Sequence, residues 1–267
     1  MSLLRIRQPI SKKAATTLCL LSIFITIGGY LLIAEIHHRA HPRDQMVPTL
    51  AMLIQAGRTA MTPDEFTGHV PLWADTYSSV RLVFIGYSLA IVGSLIVGLH
   101  AGAWSWLNAL LDPTLKFFSY TPTMALLAFF LMILGSGDES KIAIIFLATV
   151  VPLTRSLILS VQNVSEKQIW KAETLGASNL EVVWITLRKT TEPQFLDDVR
   201  LLLGSAWVYL IASELIASQN GLGYRISIAS RNLNVASTLF HVLVISALAF
   251  ITDRGIWALN KLRNRWN

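Results

Sequence analysis

Four runs along this chain hold no Asp, Glu, Lys or Arg for about twenty residues each, the length a helix needs to cross a bilayer: 14 to 34, 82 to 99, 117 to 137 and 232 to 252. A helix rises about 1.5 Å per residue, so such runs match the ~30 Å hydrocarbon layer. Two further apolar segments carry one internal charge each, Arg155 within 142 to 161 and Glu214 within 201 to 219. Both are still long enough to cross. The pattern predicts an all-α polytopic membrane protein with about six transmembrane helices in one membrane domain. Composition agrees, since 53% of the 267 residues are hydrophobic and 14% charged, against roughly 25% charged in soluble domains.

The net charge of +6 does not point to nucleic acid. The basic residues cluster beside apolar segments and read as topology and lipid-headgroup signals. Arg5, Arg7, Lys12 and Lys13 precede the first run, and Arg254, Lys261, Arg263 and Arg265 follow the last. Six crossings put both termini on one side, and the positive-inside rule makes that side the cytoplasm of a plasma (inner) membrane. The first run exceeds a secretory h-region of about 7–15 residues, so it reads as a retained anchor. The expected organisation is a cytoplasmic N-terminus (1–13), a first span (14–34), a periplasmic segment (35–76), a core (77–256) with a cytoplasmic loop over 162–197, and a basic cytoplasmic tail (257–267). Arg39, Arg43 and Arg58, with no lysine, are the only bases of the outer segment 35 to 80 apart from its histidines.

Trp104, Trp106, Leu107, Leu110 and Leu111 suggest a short helix along the cytoplasmic interface, ended by Asp112-Pro113, with the tryptophans as anchors. Within the long polar loop, a helical stretch from Ile169 meets Gly176 and restarts at Ser178. Glycine permits the sharp turn, and Ser178 with Glu181 three residues on fits a capping box. Two short helices with an exposed elbow are expected there.

At this elbow the chain resembles the membrane subunits of bacterial ABC importers, whose loop runs approximately Glu-Ala-Ala, three residues, Gly, then an apolar stretch ending in Leu-Pro. Ala172, Gly176, Ala177 and Ser178 match, and Pro193 fits the final proline; Trp170 stands where the pattern has Glu, and Lys189 where an upstream Pro is common. A second segment, Glu214 through Gly221, Leu222, Gly223 and Tyr224, looks like the fifth-helix exit of the branch importing nitrate, sulfonates including taurine, bicarbonate or related solutes. Ser79, Arg81, Asp112-Pro113 and the Gly135-to-Lys141 turn agree with it, so the resemblance spans about residues 70 to 265. Val47 to Leu50 and Pro71 to Thr76 also resemble permeases associated with urea metabolism within that branch.

The resemblance implies a type I ABC importer permease fold. Trp170, Lys171, Ala172, Glu173, Leu175, Gly176, Ala177 and Ser178 would form the coupling loop that docks on an ATPase, with an aromatic contact by Trp170 in place of the usual Glu. It further implies an ABC ATPase dimer, a second permease copy, a periplasmic solute-binding protein and membrane lipid as partners. No cofactor is expected on this chain, ATP and Mg belonging to the ATPase.

Single residues leave alternatives open. Glu214 lies in an apolar helix, where a charge costs about 2.5–3.5 kcal/mol on insertion scales and faces protein or a watery cavity. It reads equally as a pathway or gate residue and as a structural partner of the Gly221-Leu222-Gly223 turn. Arg155 is a pathway candidate too, although snorkelling to the cytoplasmic side is the simpler reading. Gly221 and Gly223, gate candidates as well, bracket a turn suited to positive φ or close backbone approach, which a gate-forming loop or an ordinary external connection would use. Pro122 and Pro152 free carbonyls within or beside spans, which shape a pathway or merely kink a helix in packing. His37, His38 and His41 invite a metal reading, but polar residues of an outer loop are the commoner case. Cys19 stands alone, which rules out an intramolecular disulfide. No catalytic grouping and no phosphate-cradling Gly-x-x-x-x-Gly-Lys-Ser/Thr is present, so the chain reads as no enzyme. The rivals to an ATP-driven importer are an ion-gradient-driven secondary transporter using Glu214 and Arg155, and a membrane-embedded enzyme or scaffold.

Overall fold

The computed structural model describes residues 10–41, 46–63 and 68–263. Arg5, Arg7, Arg43, Arg265 and the Lys12 side chain, which carried part of the topology argument, lie outside the described residues. In chain order the helices are α1 (Lys12–Ala40), α2 (Leu50–Met61), α3 (Pro71–Ala103), α4 (Ser105–Tyr120), α5 (Thr123–Leu134), α6 (Asp138–Gln162), α7 (Glu166–Thr174), α8 (Asn179–Glu181), α9 (Arg188–Ala217), α10 (Leu222–Arg231) and α11 (Val235–Arg263). A π-helical stretch, Val182–Leu187, joins α8 to α9. Five of these segments are long and apolar enough to cross a membrane, and a sixth crossing results if the bent pair α4 and α5 is one span.

The centre of the bundle is a parallel pair, α3 and α6. Gly86, Ala90, Ser94, Gly98 and Gly102 recur every fourth residue of α3, so small side chains share one face. That face lets two backbones approach closely, which is how membrane helices gain packing where lipid removes the hydrophobic drive. A β-carbon on Gly86 would sit 3.0 Å from Ile145 Cβ, one on Gly98 3.0 Å from Leu157 Cβ, and one on Gly102 2.6 Å from Val161 Cβ. The pairing order, rising on both helices, makes them parallel.

Antiparallel α9 closes the core against this pair. Ser79 near the start of α3 meets Glu214 near the end of α9, while Ser156 near the end of α6 donates to Asp198 at 2.6 Å. Leu82, Leu99, Ile145, Leu153, Leu157, Leu203, Ala206 and Leu210 form the buried cluster between them. On the outside of α9, α11 is held by Arg200 to Asp253 at 3.0 and 3.2 Å and by Arg263 to Glu192. α1 touches this bundle least, with its apolar side chains facing outward as a lipid-exposed helix requires. Tyr30 bonds to the Pro48 carbonyl at 2.9 Å.

Residues 117–137 do not make the straight crossing expected of them. α4 passes through Asp112 and Pro113 instead of stopping there, with Lys116 and Asp112 paired at 2.6 Å one turn apart. The break falls at Thr121-Pro122. Proline lacks the N–H that would continue the ladder and disfavours helical geometry in the residue before it, and Thr121 is extended at φ −73° and ψ 127°. α5 leaves at 95° to α4. Its 12 residues reach only ~18 Å at 1.5 Å per residue, so α5 is half a crossing.

Two smaller expectations also change. The helix restarting at Ser178 is not short, since it runs through the π stretch to Ala217 and carries residues 188–200 into the bundle. His37 and His38 continue α1, and His41 is its C-cap residue; they do not sit in a loop. Trp104 is half-buried with its ring 5.1 Å from His100, whereas Trp106 is exposed.

Candidate functional site

The elbow between α7 and α8 is built by two local motifs. At the end of α7 the Gly176 N–H reaches the Glu173 carbonyl at 2.9 Å and the Ala177 N–H reaches back to Ala172 at 3.1 Å. This is the pair of bonds of a Schellman ending, and it needs a residue of positive φ between them. Gly176 supplies φ +85°. Ser178 then caps α8: its hydroxyl accepts the Glu181 N–H at 3.4 Å while the Ser178 N–H donates to the Glu181 carboxylate at 2.8 Å. Both motifs close within the segment, so the elbow keeps its shape with little support from the bundle.

Three large apolar side chains stand outside among polar ones. Trp170 is 58% exposed, Leu175 79% and Leu180 58%. Lys171, Glu173, Gly176 and Ser178 are exposed around them, while Ala172 and Ala177 turn inward onto the core. The elbow stands at the end of the bundle where α3 and α6 finish, and the long helix beginning at Asn179 returns from it to the opposite end.

At that opposite end Glu214, Gly221 and Gly223 meet in one buried polar knot. Glu214 is 1% exposed. Ser79 Oγ lies 2.8 and 3.0 Å from its two carboxylate oxygens, and the Gly223 N–H donates to it at 2.7 Å. Ser79 in turn accepts the Leu222 N–H at 2.9 Å, and the Gly221 N–H donates to Asp75 at 2.8 Å. Asp75 also pairs with Arg225 on α10. Gly221 has φ +101°, and a β-carbon there would collide with the Glu214 carboxyl. On Gly223 it would meet Glu214 Cβ at 2.7 Å and the Ile211 carbonyl at 2.8 Å. The knot therefore satisfies the free N–H groups that open α10 and fastens the far end of α9 to α3. Beside it buried Lys141 donates to Ser218 at 2.9 Å, and Arg81 pairs with Asp138.

Arg155 does not join this group. It is half-buried near the other end of α6, with Nη1 donating to Ser119 Oγ at 3.0 Å, and so ties α6 to the end of α4. Pro122 makes the α4–α5 break, and Pro152 lies inside α6. The rings of His37 and His41 are 5.3 Å apart, and no group of three possible metal ligands gathers among the described residues.

In the sequence Glu214 and its turn stand out as a charge and two glycines in an apolar stretch, whereas Asp75 does not stand out. Asp75 and Ser79 lie one turn apart at the head of α3, both polar where the helix is about to become wholly apolar. That spacing was the available signal, although it names no partner 135 to 150 residues away.

Comparison with known proteins is consistent with this geometry. Residues 90–263 match the family model described as the binding-protein-dependent transport system inner membrane component. The taurine transport system permease protein of Escherichia coli (strain K12) is 27% identical over 268 residues, covering 99% of this chain and 94% of that protein. The bicarbonate transport system permease protein of Synechocystis sp. is 27% identical over 192 residues, covering 72% of this chain and 69% of that one. A solved structure described as an amino acid ABC transporter with histidines superposes with a TM-score of 0.53 at 14% identity, over 72% of this chain and 91% of that chain. At that identity the likeness is one of fold.

Proposed function

The chain belongs to the family of binding-protein-dependent transport system inner membrane components, and from that premise we propose how it works: the elbow at residues 170–178 receives the stroke of a separate ATPase and passes it along α9 to the buried knot at Glu214. As a member it is a multi-pass transport permease of the inner membrane. In our reading the elbow end faces the cytoplasm together with both termini, and two copies of the chain pair over an ATPase dimer that binds ATP and Mg. A periplasmic solute-binding protein delivers the cargo.

The observation that carries this reading is the elbow itself. A locally closed turn that holds Trp170, Leu175 and Leu180 in the open, outside lipid-facing helices, has the make-up of an interface centre, where large apolar side chains anchor contacts. The helix leaving it is continuous from Asn179 to Ala217, 39 residues. Its π stretch, Val182–Leu187, is the kind of irregularity that recurs at functional sites and hinges. Thr190 and Thr191 return their hydroxyls to the Thr186 and Leu187 carbonyls at 2.9 Å each, and Pro193 follows, so compliance is concentrated just inside the elbow. A push at the elbow then tilts the rest of α9 as one rod. ATPase closure would bias the bundle between inward-open and outward-open states through this rod.

Cargo follows the relatives. Taurine and bicarbonate, named for two of them, are small oxyanion-bearing solutes, and we assign this chain the same class. Glu214 acts as a fastening point of the lever in this reading. A gradient-driven carrier built on Glu214 and Arg155 is not favoured, because the family is one of ABC permeases and the two side chains have separate partners, Ser79 and Ser119.

The test is co-purification of the ATPase subunit with wild-type protein and with Leu175→Asp, together with uptake in proteoliposomes. The variant is expected to insert normally, lose the ATPase and lose uptake. An undiminished ATPase association by Leu175→Asp, Trp170→Asp and Leu180→Asp alike would overturn the elbow as the docking element.

A further inference from the structure

Beyond the knot, a cavity of about 830 Å³ opens between α2, α10 and α11, at the end of the bundle opposite the elbow. That is within the span of sites for small solutes. Its wall sets polar side chains among apolar ones, with Gln55 and Thr59 from α2, Arg225 from α10, and Asn234, Ser237 and His241 at the head of α11.

Two of these groups, Arg225 and Asn234, keep donors free to face the cleft. Arg225 uses Nε on buried Asp75, which fixes the plane of the guanidinium. Among the described residues its two terminal nitrogens make no hydrogen bond, and the side chain is only partly covered. Guanidinium geometry suits bidentate contact with a planar or tetrahedral oxyanion. Asn234 accepts the Ser237 N–H at 2.9 Å through its amide oxygen, so its amino group is what it can turn toward a ligand. Asp75, the acid paired with Arg225, is 3% exposed and sits behind it with one oxygen also taken by the Gly221 N–H. The cavity thus sees the positive end of the Asp75–Arg225 pair and not its negative end. α2 docks against α11 at Gly57, where a β-carbon would strike the Phe240 ring at 2.9 Å, so the cleft is a built junction of helices.

We propose that this cleft is an outer receiving site for the oxyanion head, sulfonate or carboxylate, of a small solute, with Arg225 as its principal contact and Asn234 as a second donor. The proposal rests on the assignment of small anions as cargo. It adds a place where such an anion pauses on this chain, joined through Asp75 and the Gly221 N–H to the far end of the α9 lever. Occupation of the cleft would therefore be felt at the knot without any contact between solute and Glu214.

The chain has a single cysteine, Cys19, which allows a test on the isolated permease in nanodiscs. On a Cys19→Ser background, Ser237→Cys is treated with the sulfonate-bearing reagent 2-sulfonatoethyl methanethiosulfonate or with its trimethylammonium counterpart. Rates are divided by those for a free thiol in solution. Local positive potential in a cleft raises association of an anion by about tenfold or more, so the anionic reagent is expected to be favoured by about that factor. Millimolar taurine should slow it, and Arg225→Lys should keep the preference that Arg225→Gln loses. Equal rates for the two reagents, or no protection by taurine, would overturn the site. If Arg225→Gln does not fold, the rate ratio and taurine protection of the parent decide the matter alone. This readout uses no ATPase: a permease that shows the preference but binds no ATPase refutes the elbow reading and leaves the cleft standing, and the reverse pattern refutes the cleft alone.

Discussion

Ser79 Oγ sits 2.8 Å from Glu214 Oε1 and 2.9 Å from the Leu222 N–H, so one hydroxyl donates to a carboxylate and accepts from a backbone amide at the same time. Those two bonds join α3, α9 and the start of α10 at a point where none of the groups can reach water. Removing the hydroxyl leaves an acceptor short and a donor unpaired. Ser79→Ala is therefore expected to cost about 1–3 kcal/mol, the desolvation cost of an orphaned buried group, read as a lowered thermal midpoint in detergent. Glu214→Ala should cost more, since it also empties the space beside Gly221 and orphans the Gly223 N–H.

Gly221→Ala tests the turn. Its φ of +101° is strained for any L side chain, and the new methyl would press on the Glu214 carboxyl. The expected outcome is a loss of about 3 kcal/mol or more, strain and collision adding, seen as poor accumulation in the membrane. Gly204→Ala is the control. Nothing lies within 4 Å of a β-carbon there, and within α9 the exchange should be neutral or stabilising by up to about 1 kcal/mol.

The α3–α6 seam predicts a graded series. Gly98→Leu forces side-chain atoms into Leu157, already 3.0 Å from a β-carbon, and should destabilise by about 1–3 kcal/mol or drive the helices apart. Gly93→Ala meets Val150 at an ordinary 3.6 Å and should be tolerated. Limited proteolysis of the two variants in membranes, compared with the parent, reads the difference.

Gly176→Val separates the elbow from the bundle. Nothing lies within 4 Å of a β-carbon at Gly176, yet its φ of +85° is one that a β-branched residue resists. Because the elbow closes on its own backbone bonds, a strain of about 1–3 kcal/mol is expected to be relieved by local rearrangement there, leaving the bundle midpoint little changed while uptake uncouples from ATP hydrolysis. Normal coupled uptake by this variant would count against the lever.

Arg200 and Asp253 hold α11 to α9 by two hydrogen bonds at 3.0 and 3.2 Å, both side chains being partly covered. Asp253→Ala is expected to destabilise by about 1.5–3 kcal/mol, typical of a charged hydrogen bond. A double-mutant cycle with Arg200→Ala, followed by thermal unfolding, should return most of that as coupling energy.

Features that depend on neighbours along the chain are legible in the residues alone. The long uncharged runs placed α1, α3 and α11, and the apolar segments with one charge each placed α6 and α9, because a helix meets its backbone bonds within the segment and so can cross hydrocarbon. Gly176 and the Ser178–Glu181 pair marked the elbow because the Schellman ending and the capping box each close over a few residues. Glu214 was visible as a charge in an apolar run. Packing alone reveals that its partner is Ser79 on another helix, that Asp75 turns Arg225 toward a cleft, and that the run 117–137 bends at Pro122 and not at Pro113. Proline at either place removes one backbone bond, and whether the helix bends there depends on the neighbours that can hold the chain on each side. Contacts more than a hundred residues apart leave no periodic trace in composition, so their pairing had to wait for the packed bundle.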